Sequence, residues 1–133
     1  MGFFAKILGI CSTAKPADPL CWSFADGKVE IDLARASELS SGGGAVRLEG
    51  RPLPLRVLVV RDKDGGFHAF PNRCTHAGHR RLDHLSEEGK VKCCSVGQSI
   101  FDYEGTRCSG SASESISPFR VEESDGKLTI WLE

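Results

Sequence analysis

The chain has 133 residues, 40% of them apolar and 26% charged, with a formal net charge of −1 at pH 7. That is the length of one domain with a modest core, and so balanced a charge gives no electrostatic case for nucleic acid, whose binders are usually strongly basic. No stretch approaches the roughly 18 consecutive apolar residues of a membrane span, so no helical span is expected.

In chain order, Met1-Gly2-Phe3-Phe4-Ala5-Lys6-Ile7-Leu8-Gly9-Ile10 is apolar but short. It has no basic stretch ahead of the apolar run and no small-residue cleavage site, so it is expected to dock on the domain's own surface, with a partner or membrane contact as the alternative, in a cytoplasmic protein. Residues 1–26, which include Pro16 and Pro19 and show no clear period, read as an N-terminal extension, and residues 27–133 as the globular body. Alternation of apolar and polar residues predicts half-buried strands in Val29-Glu30-Ile31-Asp32-Leu33, Phe119-Arg120-Val121-Glu122 and Leu128-Thr129-Ile130-Trp131-Leu132. Residues 34–39 could form one helical turn. The denser run 55–60 predicts a more central strand, turning at Asp64-Gly65-Gly66 into Phe67-His68-Ala69-Phe70, with Pro71 ending that strand because it cannot donate a ladder hydrogen bond. Many short strands punctuated by glycine turns argue for an all-β, antiparallel sandwich or barrel.

Six cysteines could form a disulfide framework only in a secreted context. With reduced thiols expected, metal binding is the better account, and Cys11, Cys21 and Cys108, apart from the rest, read as small buried apolar residues. The others lie in two segments. One is Asn72-Arg73-Cys74-Thr75-His76-Ala77-Gly78; the other is Val91-Lys92-Cys93-Cys94-Ser95-Val96-Gly97-Gln98-Ser99-Ile100-Phe101-Asp102. Among the histidines, His68 alternates with apolar residues on a strand and reads as structural, while His79 and His84 read as exposed.

The two segments, and the order of elements from about residue 29 to 132, resemble a soluble Rieske-type ferredoxin. The resemblance implies a Rieske-like β-sandwich with a small cluster-binding subdomain at about 72–102, and a [2Fe-2S] cluster held by two cysteines on one iron and two histidines on the other. Carried onto this chain, it makes Cys74, His76 and Cys94 metal ligands, with Ser99 a donor to a cluster sulfur and Leu82 an apolar support under the first loop. Three positions depart from the pattern. Gly97 stands where the family has its second histidine, so the fourth ligand is non-standard: Gln98 is the first choice, with His79, Cys93 and water as alternatives. Cys93 precedes Cys94, and the two point to opposite faces in extended backbone, so Cys93 is the alternative ligand. Gly110-Ser111-Ala112 replaces the family's proline loop.

The function implied is that of an electron carrier between redox partner proteins, with no catalytic constellation of its own. Arg73, Arg80 and Arg81 would rim the first loop and suit an acidic partner. The competing readings are a cluster-less binding or regulatory module of the same fold, and a zinc site built from Cys74, His76 and Cys94 with Cys93 or water.

Overall fold

Among the residues that the computed structural model describes, 13–73, 82–93, 99–109 and 116–132, the chain forms short antiparallel strands and single 3-10 turns. The strands are β1 (Trp22–Ala25), β2 (Lys28–Asp32), β3 (Ala45–Leu48), β4 (Val57–Arg61), β5 (Phe67–Pro71), β6 (Leu82–Leu85), β7 (Lys90–Cys93), β8 (Ile100–Asp102), β9 (Arg107–Ser109), β10 (Arg120–Ser124) and β11 (Lys127–Trp131). They make three sheets, ordered β1-β2-β11-β10, β3-β4-β5 and β6-β7-β8-β9. The all-β antiparallel architecture expected from the strand pattern is the one adopted.

The composition of β4 explains the layering. Val57, Leu58, Val59 and Val60 are all fully buried, a run without alternation, as a strand covered on both faces requires. Val57 and Val59 join a core with Val29, Ile31, Leu128 and Ile130 of the first sheet. Leu58 and Val60 face the other way and pack with Leu82, Val91 and Phe101 of the third. Strand β5 divides in the same manner, Ala69 to the first core and Phe70 to the second. The sheet β3-β4-β5 is therefore a middle layer shared by two cores.

The predicted run 55–60 begins two residues late, because Leu55 is 38% exposed and the strand starts at Val57. Pro52 and Pro54, just before it, have no amide hydrogen to give a ladder. The turn after β4 is built by Asp62, whose Oδ1 accepts from the amides of Asp64 at 2.8 Å and Gly66 at 3.0 Å, while Gly65 sits at φ +93°. The helical turn expected at 34–39 is a 3-10 turn over Ser37–Leu39.

Residues 13–26, expected to lie in an extension, are built into the body. Strand β1 pairs with β2 from Trp22↔Ile31 to Ala25↔Lys28. Ahead of it, the Arg47 amide donates to the Ala14 carbonyl at 3.0 Å. Thr13 donates its amide (2.9 Å) and its hydroxyl to Asp83 Oδ1, tying the segment to β6. These contacts join residues far apart in sequence, so no local period announces them.

Candidate metal centre

Register places the roots of both cysteine-bearing loops at one end of the third sheet. Leu82 pairs with Cys93 and Lys92 with Ile100, so the chain enters β6, leaves β7 and re-enters β8 on the same edge. In the middle sheet, Val57 pairs with Pro71, and β5 leaves toward the first loop from that end. The Asn72 side chain then closes the loop's base: its Oδ1 accepts from the Leu82 amide at 2.7 Å, across ten residues. The Asn72 amide in turn donates to the Arg56 carbonyl at 2.9 Å. The second loop is closed by its backbone, the Cys93 amide donating to the Ser99 carbonyl at 2.8 Å.

Cys74, His76, Cys94 and Gln98 lie outside the described residues, as do Gly97, His79, Arg80, Arg81 and residues 110–112. Among the described residues no three histidine, cysteine or acidic side chains gather to hold a metal. Two sequence positions near the loops are described. Cys93 is fully buried in the second core with Leu82, Val91 and Phe101, and Ser99 is fully buried beside it.

A buried orphan bears on whether the site fits a cluster. Asn72 is 1% exposed and its Nδ2 has no hydrogen-bond partner among the described residues. An unmade bond at a buried donor costs about 1–3 kcal/mol, so this position suits an acceptor that arrives with a bound group or its loop. A [2Fe-2S] cluster with its sulfides and ligating thiolates is rich in such acceptors. The donor set in the sequence, two thiolates and an imidazole in two loops with closed, adjacent roots, suits the same group.

The opposite end of these sheets is built differently. His84 reads as exposed from sequence but is half-buried, its Nδ1 3.2 Å from the Gly43 carbonyl and its Nε2 2.7 Å from the Tyr103 hydroxyl. A carbonyl only accepts, so Nδ1 carries the proton and the Tyr103 hydroxyl donates to Nε2. Burial pushes the His84 pKa down and the Tyr103 pKa up, which keeps both neutral. The Tyr103 ring stacks on His68 at 4.2 Å, and His68 Nε2 lies 2.8 Å from Asp62 Oδ2; that hydrogen bond holds the Asp62 carboxyl below its usual range. His68 is thus structural, as its strand position suggested. Cys21 is buried as expected, but Cys108 is exposed, at the outer strand β9 of the third sheet.

Sequence reasoning missed Asn72 and Asp83. The available signal for Asn72 was its place directly before Arg73-Cys74, where a short amide can bond back across the loop.

The known proteins agree with this architecture. A family model described as the Rieske [2Fe-2S] domain matches residues 29–119. No curated protein matches the chain. Among solved structures, a chain of the complex of reduced oxygenase and oxidised ferredoxin in carbazole 1,9a-dioxygenase is similar at 21% identity and TM-score 0.62. That match covers 82% of this chain and 96% of that one. The plasma membrane Rieske protein PetC3 of the cyanobacterium Synechocystis PCC 6803 matches at 22% identity and TM-score 0.51, over 63% and 84% of the two chains. A quaternary ammonium Rieske monooxygenase tied to carnitine oxidation by gut microbiota matches at 22% identity and TM-score 0.56, over 73% of this chain but only 29% of that enzyme. At these identities the likeness shows the fold, and the family model, matching more than half of the sequence, shows the membership: the chain belongs to the Rieske [2Fe-2S] domain family.

Proposed function

We propose that the protein is a single-electron carrier, a Rieske-type ferredoxin that exchanges electrons with a redox partner protein and makes no bonds of its own. The observation that carries this reading is the common root of the two loops, Leu82 paired with Cys93 and Asn72 bridging to Leu82. Cys74, His76 and Cys94 would hold the cluster, with Gln98 completing the set in place of the absent histidine at Gly97. The burial of Cys93 in an apolar core supports Cys94 as the second thiolate. When bound, such a cluster would supply one electron; a second imidazole as fourth ligand would keep it in the range of roughly −150 to +300 mV, and a thiolate there would lower it. Around it, Asn72 fixes the spacing of the first loop's ends and Ser99 accepts the amide that closes the second. The extent of the match to a chain from an oxygenase–ferredoxin complex supports an oxygenase or its reductase as the partner class.

Anaerobic purification tests the proposal. The expected result is brown protein with iron and sulfide in equal amounts and a reduced-state EPR signal of low average g. Colourless protein holding one zinc per chain supports the zinc reading, and colourless metal-free protein the binding-module reading. Gly97→His is expected to lengthen cluster lifetime by restoring an imidazole; Gln98→Ala is expected to shorten it, and an unchanged EPR spectrum in that variant removes Gln98 from the ligand set.

A further inference from the structure

Residues 13–21 carry no hydrophobic period and contain two prolines, yet they are pinned along their length. Besides the ties to Asp83 and Arg47, the Ala17 amide donates to Glu38 Oε2 at 2.7 Å and Arg35 Nε to Asp18 Oδ2 at 2.7 Å. Asp18 also caps the 3-10 turn Pro19–Cys21 through the Leu20 amide. The segment is thereby a fixed wall. Facing it are Arg47 of β3 and the chain that follows that strand, and between them lies an open cleft of ≈ 320 Å³.

The chemistry of the lining is lopsided. Pro16, Pro19 and Trp22 supply apolar surface, and Lys15, Arg47 and Arg51 supply positive charge against the single carboxylate of Glu49. That carboxylate is engaged by Arg47 at 2.8 Å, and the Arg47 Nε donates to the Thr13 carbonyl at 3.1 Å. Lys15 and Arg51, both exposed, have no ion-pair partner among the described residues. Beyond the cleft the apolar surface continues onto Leu20, which is 73% exposed.

We propose that this cleft binds an acidic, extended peptide segment of a protein partner, its carboxylates on Lys15 and Arg51 and an apolar side chain against Trp22. One exposed ion pair contributes little alone, so a small monocarboxylate gains little here. A chain presenting several carboxylates around an apolar anchor engages both cations together, and it is long enough to cover Leu20. Because the wall is pinned before binding, less ordering entropy opposes association. The site rests on none of the proposed metal ligands.

Titration of the full chain with the capped peptide acetyl-Glu-Glu-Phe-Glu-Glu-amide, followed by two-dimensional NMR, is the test. Saturable shifts are expected at the Trp22 indole and the amides of Lys15 and Arg51. The Trp131 indole, covered by the Arg120 guanidinium at 4.2 Å, should stay in place and report an intact fold. The double substitution Lys15→Gln/Arg51→Gln should raise the Kd by about fivefold or more, and added salt should weaken binding. The proposal is overturned by an unchanged Kd in the double variant, by shifts led from Trp131 or the Asp62 turn, or by equal binding of a peptide with lysine for glutamate. Phenylacetate binding as tightly as the peptide would replace the peptide occupant with a free small acid. Metal content, measured on the same samples, reads the carrier proposal separately.

Discussion

The two ends of the paired middle and third sheets are built from different materials. At the loop end, the contacts are backbone amides and the uncharged Asn72 side chain, flanked by Arg51, Arg56, Arg73 and Lys92, while the carboxylates there, Glu49 and Asp83, are engaged with Arg47 and Thr13. At the far end the contacts are titratable aromatics, His68, Tyr103 and His84. Asp62, Asp64, Glu87, Glu88, Asp102 and Glu104 gather there against Arg61, Lys63 and Lys90. A net charge of −1 therefore hides a pair of sheets that, among the described residues, is positive at one end and negative at the other. The difference teaches a division of labour. The loop roots are closed by backbone amides and the Asn72 amide, groups that do not titrate, with the carboxylates of Asp83 and Glu49 fastening their neighbours beside them. The far end is joined through histidines, a tyrosine and an aspartate.

Four substitutions break or sharpen that contrast. The largest effect is expected from Phe101→Ala, since this fully buried ring packs in the core beneath both ends. Losing it should cost about 3–5 kcal/mol, and denaturant melts should show both ends released together. Next is Asn72→Ala, which leaves the Leu82 amide without its acceptor and should cost about 1–3 kcal/mol. Hydrogen exchange is the discriminating measurement: the Leu82 amide should exchange faster by roughly tenfold or more while the far-end amides of Asp102 and Gly105 keep their protection. Equal acceleration at both ends would show that Asn72 supports the whole sheet rather than the loop base.

The smallest effect concerns pH. The His84 pKa is depressed in the folded protein by burial, first of all, and by the nearby His68 charge, against contributions from Gly43 and Asp83. The unfolded chain therefore takes up a proton at about pH 6.5 and below, before the folded one does. Stability from this group is complete above that pH and declines as pH falls from it toward the folded value. Thermal melts between pH 7 and 5 should show that decline, and His84→Gln should flatten it. Tyr103→Phe should cost about 0.5–1.5 kcal/mol at neutral pH while leaving the slope, because burial and not the phenol is its main cause.

Much of the fold was legible from residue order. Strands β2, β10 and β11 announce themselves by alternation, and the unbroken Val57-Leu58-Val59-Val60 run reflects burial on two faces. Strand β6 was not legible as a strand, because Leu82-Asp83-His84-Leu85 places polar residues at covered positions. Those positions are satisfied by Thr13, seventy residues away, and by Tyr103, and nothing local predicts either partner. Strand β1 was hidden similarly: Trp22-Ser23-Phe24-Ala25 follows prolines and gains its order from pairing with β2. At the candidate centre the motif names the cysteines and histidine directly, since ligand chemistry demands particular residue types. The closure at the base of the first loop comes from the Asn72 side chain, a residue type common in any loop.

The shared middle sheet has one more consequence, for how the molecule comes apart. If the third sheet opened as a unit while the rest stayed folded, Leu58, Val60 and Phe70 would meet water on a surface otherwise complete. Such a partially opened form has an adhesive stripe along an intact scaffold, a geometry that invites self-association. Retention of the third sheet on the middle one therefore guards solubility as well as the loops it roots.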